Sequence, residues 1–227
     1  YLIKGNAKQN EIKFIEGWTF AQIRKVLNEH PAIEYKSAGL SDQQILQHIG
    51  ASETAVEGIF FPDTYYFIKG SSDLDILQRA YKTMQNHLQN YWSERVESLP
   101  LNTPYEALIL ASIIEKETGA ESDRAEIAGV FINRLRKGMK LQTDPTVIYG
   151  LGEQFDGNLR KKDLLADQEY NTYTRAGLPP TPISLPSLAS IRAALNPAET
   201  DALYFVAKGN GESEFSTNLA DHNKAVN

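Results

Sequence analysis

Two glutamates at the end of an apolar segment are the residues of this sequence best suited to acid–base chemistry. The segment is residues 107–119, ALILASIIEKETG, and it carries Glu115 and Glu117. In a helix, with about 100° between successive residues, Leu110 and Ile114 share one face with Glu117. Glu115 is turned by roughly 160° from Glu117. The two carboxyl groups therefore cannot face each other as an acid–base pair, and Glu117 alone continues the apolar stripe.

The position of Glu117 predicts an unusual pKa. Burial in apolar surroundings disfavours a charged carboxylate and so raises its pKa. A carboxyl group that keeps its proton near neutral pH can act as a general acid towards a leaving group. The structural alternative is a buried ion pair with Arg134 or Arg136 of the following helix. The helix pattern alone slightly favours that alternative.

A second polar stretch, residues 141–150 (LQTDPTVIYG), combines Gln142, Thr143, Asp144 and Tyr149. Asp144 followed by Pro145 is typical of a residue that caps the start of a short helix, and this structural role is the simpler interpretation. The same stretch brings amide, carboxyl and aromatic groups together, as in a cleft that binds a sugar.

Residues 170–186, YNTYTRAGLPPTPISLP, form a long segment that shows no helix or strand pattern. Loops of this length are uncommon in compact domains unless they are functional or disordered. The tyrosines, the asparagine and the four prolines fit a stiff, aromatic wall of a cleft. They fit an Ω-like cover over the core equally well.

Composition excludes several classes of protein. The 227 residues carry 23 Lys and Arg against 29 Asp and Glu, a net charge of −6, which argues against nucleic-acid binding as the main function. The absence of cysteine excludes disulfides, thiolate nucleophiles and cysteine-bound metals. No apolar run approaches the ~18 residues of a membrane span. The histidines lack the close spacing of zinc ligands, so we expect no metal site; they are His30, His48, His87 and His222.

Helix and strand patterns predict an α+β fold, a helix-rich domain with a small antiparallel sheet that includes a C-terminal β-hairpin. Capping boxes begin at Thr19, Ser41 and Thr103. The other expected elements are helices from Ser72 onwards, over 104–118 and over 123–137, strands over 11–16 and 60–68, and a hairpin of 203–207 with 214–217 around the turn 209–211.

Several long motifs resemble the endolytic murein transglycosylases, the MltG or YceG-like family. They are EGWTF (16–20), EGIFFPDTYYF (57–67), ASIIEKET (111–118), GVFINRLRKGMKLQTDPTVIYGLG (129–152), YNTYTRAGLPPTPIS (170–184) and LYFVAKGNGESEFSTNLADHNKAV (203–226). The resemblance covers most of the chain from about Lys13 onwards. Ordered motifs of this length are far more specific than a single short pattern.

The resemblance implies a lyase that acts on the glycan strands of peptidoglycan. Such enzymes break the β-1,4 bond between N-acetylmuramic acid and N-acetylglucosamine without water, because the muramyl 6-hydroxyl closes on C1 and leaves a 1,6-anhydro end. The second glutamate of the family's E-K-E motif is catalytic, and here it is Glu117. Ordinary glycosidases need two carboxylates. Here one group would serve first as acid and then as base, so no second carboxylate is needed, and we expect no cofactor.

The same resemblance suggests which residues position the glycan. The candidates are Gln142, Asp144, Tyr149, Asn171 and Tyr173, with Asn218 and His222 closing the site. Structural hydrogen bonding is the alternative for the last two. Two other functions stay open: a hydrolytic muramidase with Asp144 or Asp63 as the second carboxylate, and a non-catalytic glycan-binding module that scaffolds cell-wall synthases.

Members of the family carry an N-terminal membrane anchor and a LysM-like module. We therefore expect residues 1–12 to be a remnant or linker and residues 13–227 to be the catalytic domain, with an N-terminal part (13–102) and a catalytic core (103–227). The expected location is the bacterial cytoplasmic membrane, with the catalytic domain facing the periplasm or the cell exterior. The expected partners are peptidoglycan strands and penicillin-binding proteins or other synthases, and not nucleic acid.

Overall fold

The computed structural model describes residues 9–118, 121–209 and 212–226, and its helices and short paired strands confirm the α+β class. No helix in these ranges is long and apolar enough to cross a membrane. In chain order the elements are β1 (Asn10–Lys13), α1 (Phe20–Glu29), β2 (Ile33–Glu34), α2 (Asp42–Ile49), β3 (Thr64–Phe67), β4 (Ser71–Ser72), α3 (Asp73–Ser93), α4 (Pro104–Glu117), α5 (Glu121–Arg136), α6 (Asp144–Leu151), α7 (Lys161–Leu165), α8 (Leu188–Leu195), β5 (Tyr204–Ala207), β6 (Ser213–Ser216) and α9 (Leu219–Val226).

Helix α4 lies at the centre of the fold. Thr103 begins it, because its hydroxyl accepts a hydrogen bond from the amide of Glu106 at 3.2 Å. Every residue from Ala107 to Ile114 is buried, and a helix that is apolar on all sides must be surrounded by other elements. Helices α3, α5, α6 and α8 pack against it. The C-terminal end of α4 is therefore positioned from several sides.

The strands of the described residues form separate two-stranded sheets. β1 pairs antiparallel with β3, and β5 pairs antiparallel with β6 to make the expected C-terminal hairpin. β2 and β4 form a short parallel pair that the sequence did not predict. The helices supply most of the core, and each small sheet covers one part of it.

The strand predicted over residues 11–16 starts one residue earlier and is shorter: β1 spans Asn10–Lys13, and Ile12 is buried in the core. Residues 10–12, which were also expected to be a remnant or linker, belong to this strand. Of the expected turn at 209–211, Gly209 has a φ of 82°. Asn210 and Gly211 lie outside the described residues.

The segment 170–186 contains neither helix nor strand, and its two ends differ. Residues 182–186 are buried: the amide of Ile183 donates to Ser112 Oγ at 3.0 Å, and Ser184 Oγ donates to the Ser112 carbonyl at 3.1 Å. Tyr173, near the other end, lines a cleft. The segment is therefore both a cover over α4 and part of a cleft wall.

Gly58 lets two chain segments approach each other closely. Its φ is 74°, and a Cβ atom added there would lie 2.2 Å from Cβ of Pro182. Only glycine fits this position without displacing its neighbours. The backbone beside Glu57 is thus packed directly against the 170–186 segment.

We predict that Gly58→Ala destabilises the protein more than Gly39→Ala does. The two glycines have similar φ values, 74° and 75°, so alanine costs about 1–2 kcal/mol of backbone strain at either. Only at Gly58 does the new Cβ meet other atoms, which adds roughly 1–3 kcal/mol of overpacking. Urea unfolding, with equal m-values checked, measures both losses. Equal losses would contradict the close packing at Gly58.

Candidate active site

Glu117 is the last residue of α4 and borders a cleft of about 410 Å³. The helix ends there because Thr118 adopts an extended conformation, with φ −144° and ψ 139°. The cleft is formed by the end of α4, the turn at residues 141–144, Tyr173, strand β5 and helix α9. The side chain of Glu117 is half-buried, at the boundary between the core and the cleft.

Burial raises the pKa of Glu117 to about 7 and is the largest cause of the shift. The negative charge of Asp144 raises this pKa further, whereas the Thr143 hydroxyl, which donates to Glu117 Oε1, and the charge of Arg134 lower it. The C-terminal end of a helix carries partial negative charge, which also disfavours a carboxylate there. Both protonation states of Glu117 are therefore accessible near neutral pH.

Arg134 is buried, but it does not form the ion pair considered from the sequence. Among the salt bridges of the described residues, none joins Glu117 to an arginine. Arg136 is exposed and donates to the carbonyl of Ser98 at 3.3 Å. Arg134 donates to the backbone carbonyls of Leu203 (2.6 Å), Lys140 (3.1 Å) and Leu141 (2.8 Å), and its Nη1 also donates to Gln142 Oε1 at 3.4 Å.

Glu115 has a structural role and does not line the cleft. Its carboxylate accepts hydrogen bonds from the amide of Ser187 at 2.9 Å and from Ser190 Oγ at 2.7 Å, at the start of α8. Arg124 Nη2 lies 3.8 Å from the other carboxylate oxygen. Glu115 thus attaches α4 to α8, while Glu117 faces the cleft.

Three buried threonines hold the turn at residues 141–144 in place. The amide of Thr143 donates to Thr172 Oγ1 at 3.1 Å, and Thr146 Oγ1 lies 2.9 Å from the same oxygen. The amide of Gln142 donates to the Thr172 carbonyl at 3.1 Å. These bonds attach the turn to the 170–186 segment and so fix the Thr143 hydroxyl beside Glu117.

The structure brings Gln142, Asp144 and Tyr173 together in the cleft with Glu117. The Tyr173 hydroxyl donates to Asp144 Oδ1 at 2.5 Å. The prediction that Asp144 caps α6 was wrong: Thr143 is the N-cap residue, and Asp144 is the first residue of the helix. Because the helix begins one residue earlier, the Asp144 carboxylate is held by Tyr173 in the cleft.

His222 lines the cleft from α9. Its ring stacks on Tyr204 with 5.3 Å between centroids, and Tyr204 in turn lies 5.0 Å from the guanidinium carbon of Arg134. The buried Nδ1 atom of His222 has no hydrogen-bond partner among the residues that the structure describes, which is unusual for a buried polar atom.

Four of the residues proposed from the sequence lie outside this cleft. Asn171 is fully buried and its Nδ2 donates to three backbone carbonyls of residues 163–166. Asn218 bonds to Asp221 at the start of α9, at 2.7 and 3.0 Å. Tyr149 lines another hollow, and Asp63 is exposed before β3. The polar groups of Asn171 and Asn218 are occupied by the fold itself.

One residue of functional interest, Glu57, was missed in the sequence. Thr143 was noted as part of the polar stretch 141–150, but its hydrogen bond to Glu117 was not predicted. Glu57 is 8% exposed and accepts from the amide of Phe20 at 2.9 Å, and burial raises its pKa to about 7. The partners of both carboxyl groups, Glu57 and Glu117, come from distant parts of the chain, so no local pattern signals them.

The arrangement is suited to proton transfer. One carboxyl group with a pKa near 7 faces a cleft that also presents a second carboxylate, a tyrosine hydroxyl and an amide. A protonated carboxyl can protonate the oxygen of a leaving group, and the resulting carboxylate can then accept a proton. In the described parts of the chain, no group of three or more histidines or acidic residues could hold a metal ion.

Comparisons with known proteins agree with the resemblance seen in the motifs. The model of the YceG-like family matches residues 1–227. The chain is 44% identical over 171 residues to the endolytic murein transglycosylase of Bacillus subtilis, covering 75% of this chain and 47% of that protein. It is 33% identical over 177 residues to the protein of the same name from Streptococcus pneumoniae D39. That match covers 75% of this chain and 32% of the other protein. The chain thus spans less than half the length of these relatives.

A solved structure is also similar. The crystal structure of a YceG-like protein from Listeria monocytogenes superposes with a TM-score of 0.73 at 32% sequence identity. The match covers 94% of this chain and 75% of the other. The described fold is therefore the fold of that protein over nearly the whole chain.

We predict that Glu117→Gln stabilises the protein at pH 8 but hardly at pH 5. The raised pKa means that the folded state holds the proton more tightly than the unfolded chain, so wild-type stability falls as pH rises between the two pKa values. The loss is about 1.4 kcal/mol per pH unit, giving roughly 3 kcal/mol at pH 8 and less than about 1 kcal/mol at pH 5. Glutamine keeps the shape and removes this loss.

Urea unfolding midpoints at the two pH values measure the effect. Glu115→Gln is the matched control: it removes a carboxylate that lies at the start of α8 and faces Arg124, so it should destabilise the protein at pH 8. If Glu117→Gln also destabilises the protein at pH 8, Glu117 is an ionised structural residue.

Proposed function

Because this chain belongs to the YceG-like family, we propose that it is the catalytic part of an endolytic murein transglycosylase. Its substrate is the glycan strand of peptidoglycan, cut between N-acetylmuramic acid and N-acetylglucosamine. The observation that carries the proposal is a single carboxyl group, Glu117, whose pKa is raised to about 7 by burial beside a cleft. That is the property needed to protonate a glycosidic oxygen near neutral pH.

In the first step Glu117 acts as the acid. Its proton passes to the oxygen that links C1 of the muramyl residue to the next sugar, and the C1–O bond breaks with both electrons leaving on that oxygen. Positive charge develops at C1 and its ring oxygen. The Glu117 carboxylate that remains is stabilised by the Thr143 hydroxyl and by the charge of Arg134.

In the second step Glu117 acts as the base. The muramyl 6-hydroxyl attacks C1 and releases its proton to the Glu117 carboxylate, which restores the acid. The product is a 1,6-anhydro end, and no water is consumed. One carboxyl group therefore serves both steps, which is consistent with a site in which Asp144 is bonded to Tyr173.

The other cleft residues are suited to binding the sugar. Tyr173 offers an aromatic ring, Gln142 an amide and His222 an imidazole ring. We assign Asp144 a positioning role, because its charge raises the pKa of Glu117 and its carboxylate orients the Tyr173 hydroxyl.

A hydrolytic muramidase is the second candidate, since Asp144 lies in the same cleft as Glu117 and could activate a water molecule. The arrangement favours it less, because one Asp144 oxygen already accepts a hydrogen bond from Tyr173. Asp63, the other carboxylate considered for hydrolysis, is outside the cleft.

The substrate determines the proposed location. Peptidoglycan lies outside the cytoplasmic membrane, so we place the catalytic domain on the extracytoplasmic side. For the whole protein we further propose a single-pass N-terminal anchor and an association with peptidoglycan synthases. The family resemblance of the motifs supports both.

We predict that digestion of murein in H₂¹⁸O gives anhydro ends without ¹⁸O. Mass spectrometry of the products separates the candidates: hydrolysis adds the mass of one labelled water, whereas cyclisation adds none. Glu117→Gln should lower the rate by at least about 10³-fold, because it removes the only proton donor assigned to the leaving group. Glu29→Gln, an exposed change on α1, is the control. Labelled reducing ends, or full activity of Glu117→Gln, would contradict the proposal.

A further inference from the structure

A larger hollow of about 780 Å³ lies near the end of α4, where Lys116 contributes to its lining. It is formed by α1, α6 and the 170–186 segment, and Glu57 lines it. We call it the Glu57 hollow. Its volume is within the ~300–1,000 Å³ typical of ligand sites in proteins.

The Glu57 hollow and the cleft are joined by a third depression. This depression has a volume of about 550 Å³ and shares Glu117 with the cleft. It shares Gly17, Gln22 and Lys116 with the Glu57 hollow. Because the depression shares Glu117 with one and Lys116 with the other, both at the end of α4, we treat the three as one groove in which Glu117 lies between the cleft and the Glu57 hollow. An enzyme that cuts inside a strand needs binding surface on both sides of its acid.

The Glu57 carboxyl is held rigidly in its hollow. Oε1 accepts from the amide of Phe20 at 2.9 Å, and Oε2 accepts from the Tyr149 hydroxyl at 3.1 Å. The amide of Gly58 is a further backbone donor to this carboxyl. A carboxyl group has about four lone-pair directions, so these bonds leave capacity for a ligand donor. The close packing at Gly58 fixes the adjoining backbone.

The part of the lining next to Glu57 and Tyr149 is apolar and aromatic, whereas Thr19, Gln22, Lys116 and Glu153 add polar and charged groups elsewhere in the hollow. The rings of Tyr149 and Tyr170 meet edge to face, with 4.8 Å between centroids, and Ile148, Ile183 and Pro145 complete the lining near them. A few polar groups in an apolar, aromatic pocket orient a ligand that has both characters. An acetamido group matches this pattern, because its N–H can donate to a carboxyl while its methyl group contacts apolar side chains.

We propose that the Glu57 hollow is a second sugar subsite of the groove, in which Glu57 hydrogen-bonds the acetamido group of an N-acetylhexosamine several units away from the cut bond. The proposal rests on the proposed function for the identity of the strand. It assigns to Glu57, Tyr149 and Tyr170 a role in binding long strands, whereas the residues of the cleft act on strands of any length.

The test compares short and long strands. Ala21 is exposed on α1 and lines the hollow, so Ala21→Trp places a large ring in it without disturbing the core. Glu57→Gln removes the carboxylate and keeps its shape. Asn28→Trp is the matched control, because Asn28 is also exposed on α1 but lies outside the hollow. The substrates are peptide-free murein glycan oligomers of four and eight sugars, and the readout is kcat/KM.

We expect Ala21→Trp and Glu57→Gln to lower kcat/KM about tenfold for the octamer and to leave the tetramer within about twofold of wild type. Asn28→Trp should leave kcat/KM unchanged for both the tetramer and the octamer. Equal losses at both lengths, or no loss, would overturn the proposal. A loss that appears only with peptide-bearing strands would overturn it too, because the hollow would then hold the peptide.

A binding measurement separates this proposal from the function on which it rests. In a Glu117→Gln background, calorimetry with N-acetylglucosamine oligomers of four and eight units should show weaker octamer binding when Ala21→Trp is added. If wild type yields labelled reducing ends but this length effect persists, the reaction assignment fails and the subsite stands. If wild type yields anhydro ends and the octamer binds equally well with and without Ala21→Trp, the subsite fails alone.

Discussion

The free energy needed to charge a carboxyl group at the end of a buried helix is the constraint on which the site depends. Helix α4 is apolar on every side up to Ile114, so the fold must close around it. That closure removes water from one side of Glu117 and raises its pKa to about 7. Thr143 and Arg134 reduce the energetic cost of the charged state without removing it. The packing that forms the core therefore also sets the chemistry of Glu117.

The raised pKa of Glu117 persists because the nearby charged side chains of Arg134 and Glu115 bond mainly to other groups. Arg134 donates to backbone carbonyls around the turn and β5 and to Gln142, so it supports the cleft walls. It forms no ion pair with Glu117 among the salt bridges of the described residues. Glu115 attaches α4 to α8. Thr172 fixes the turn that carries Thr143. Segments far apart in the sequence thus converge on one carboxyl group, which suits the proposed acid-then-base role.

Sequence periodicity identified Glu117 because its burial follows from the helix on which it lies. The same reasoning placed the helix starts at Thr19, Ser41 and Thr103, where capping is local. It could not find Glu57, whose bonds come from residues 37 and 92 positions away. It also misread Asn171 as a substrate contact. An asparagine in a polar loop looks the same in sequence whether it faces a ligand or three carbonyls of its own chain.

The most direct test of the central claim is an NMR titration of the Glu117 carboxyl carbon. Glutamate labelled at Cδ is followed from pH 3 to 9, and the Glu117 signal is assigned by its absence in Glu117→Gln. This assignment is needed because burial also raises the pKa of Glu57 to about 7. We predict a midpoint near 7, and a lower midpoint in Asp144→Asn because a neighbouring negative charge is removed. A midpoint near the ordinary value of about 4.3 would contradict the claim that burial holds Glu117 as an acid.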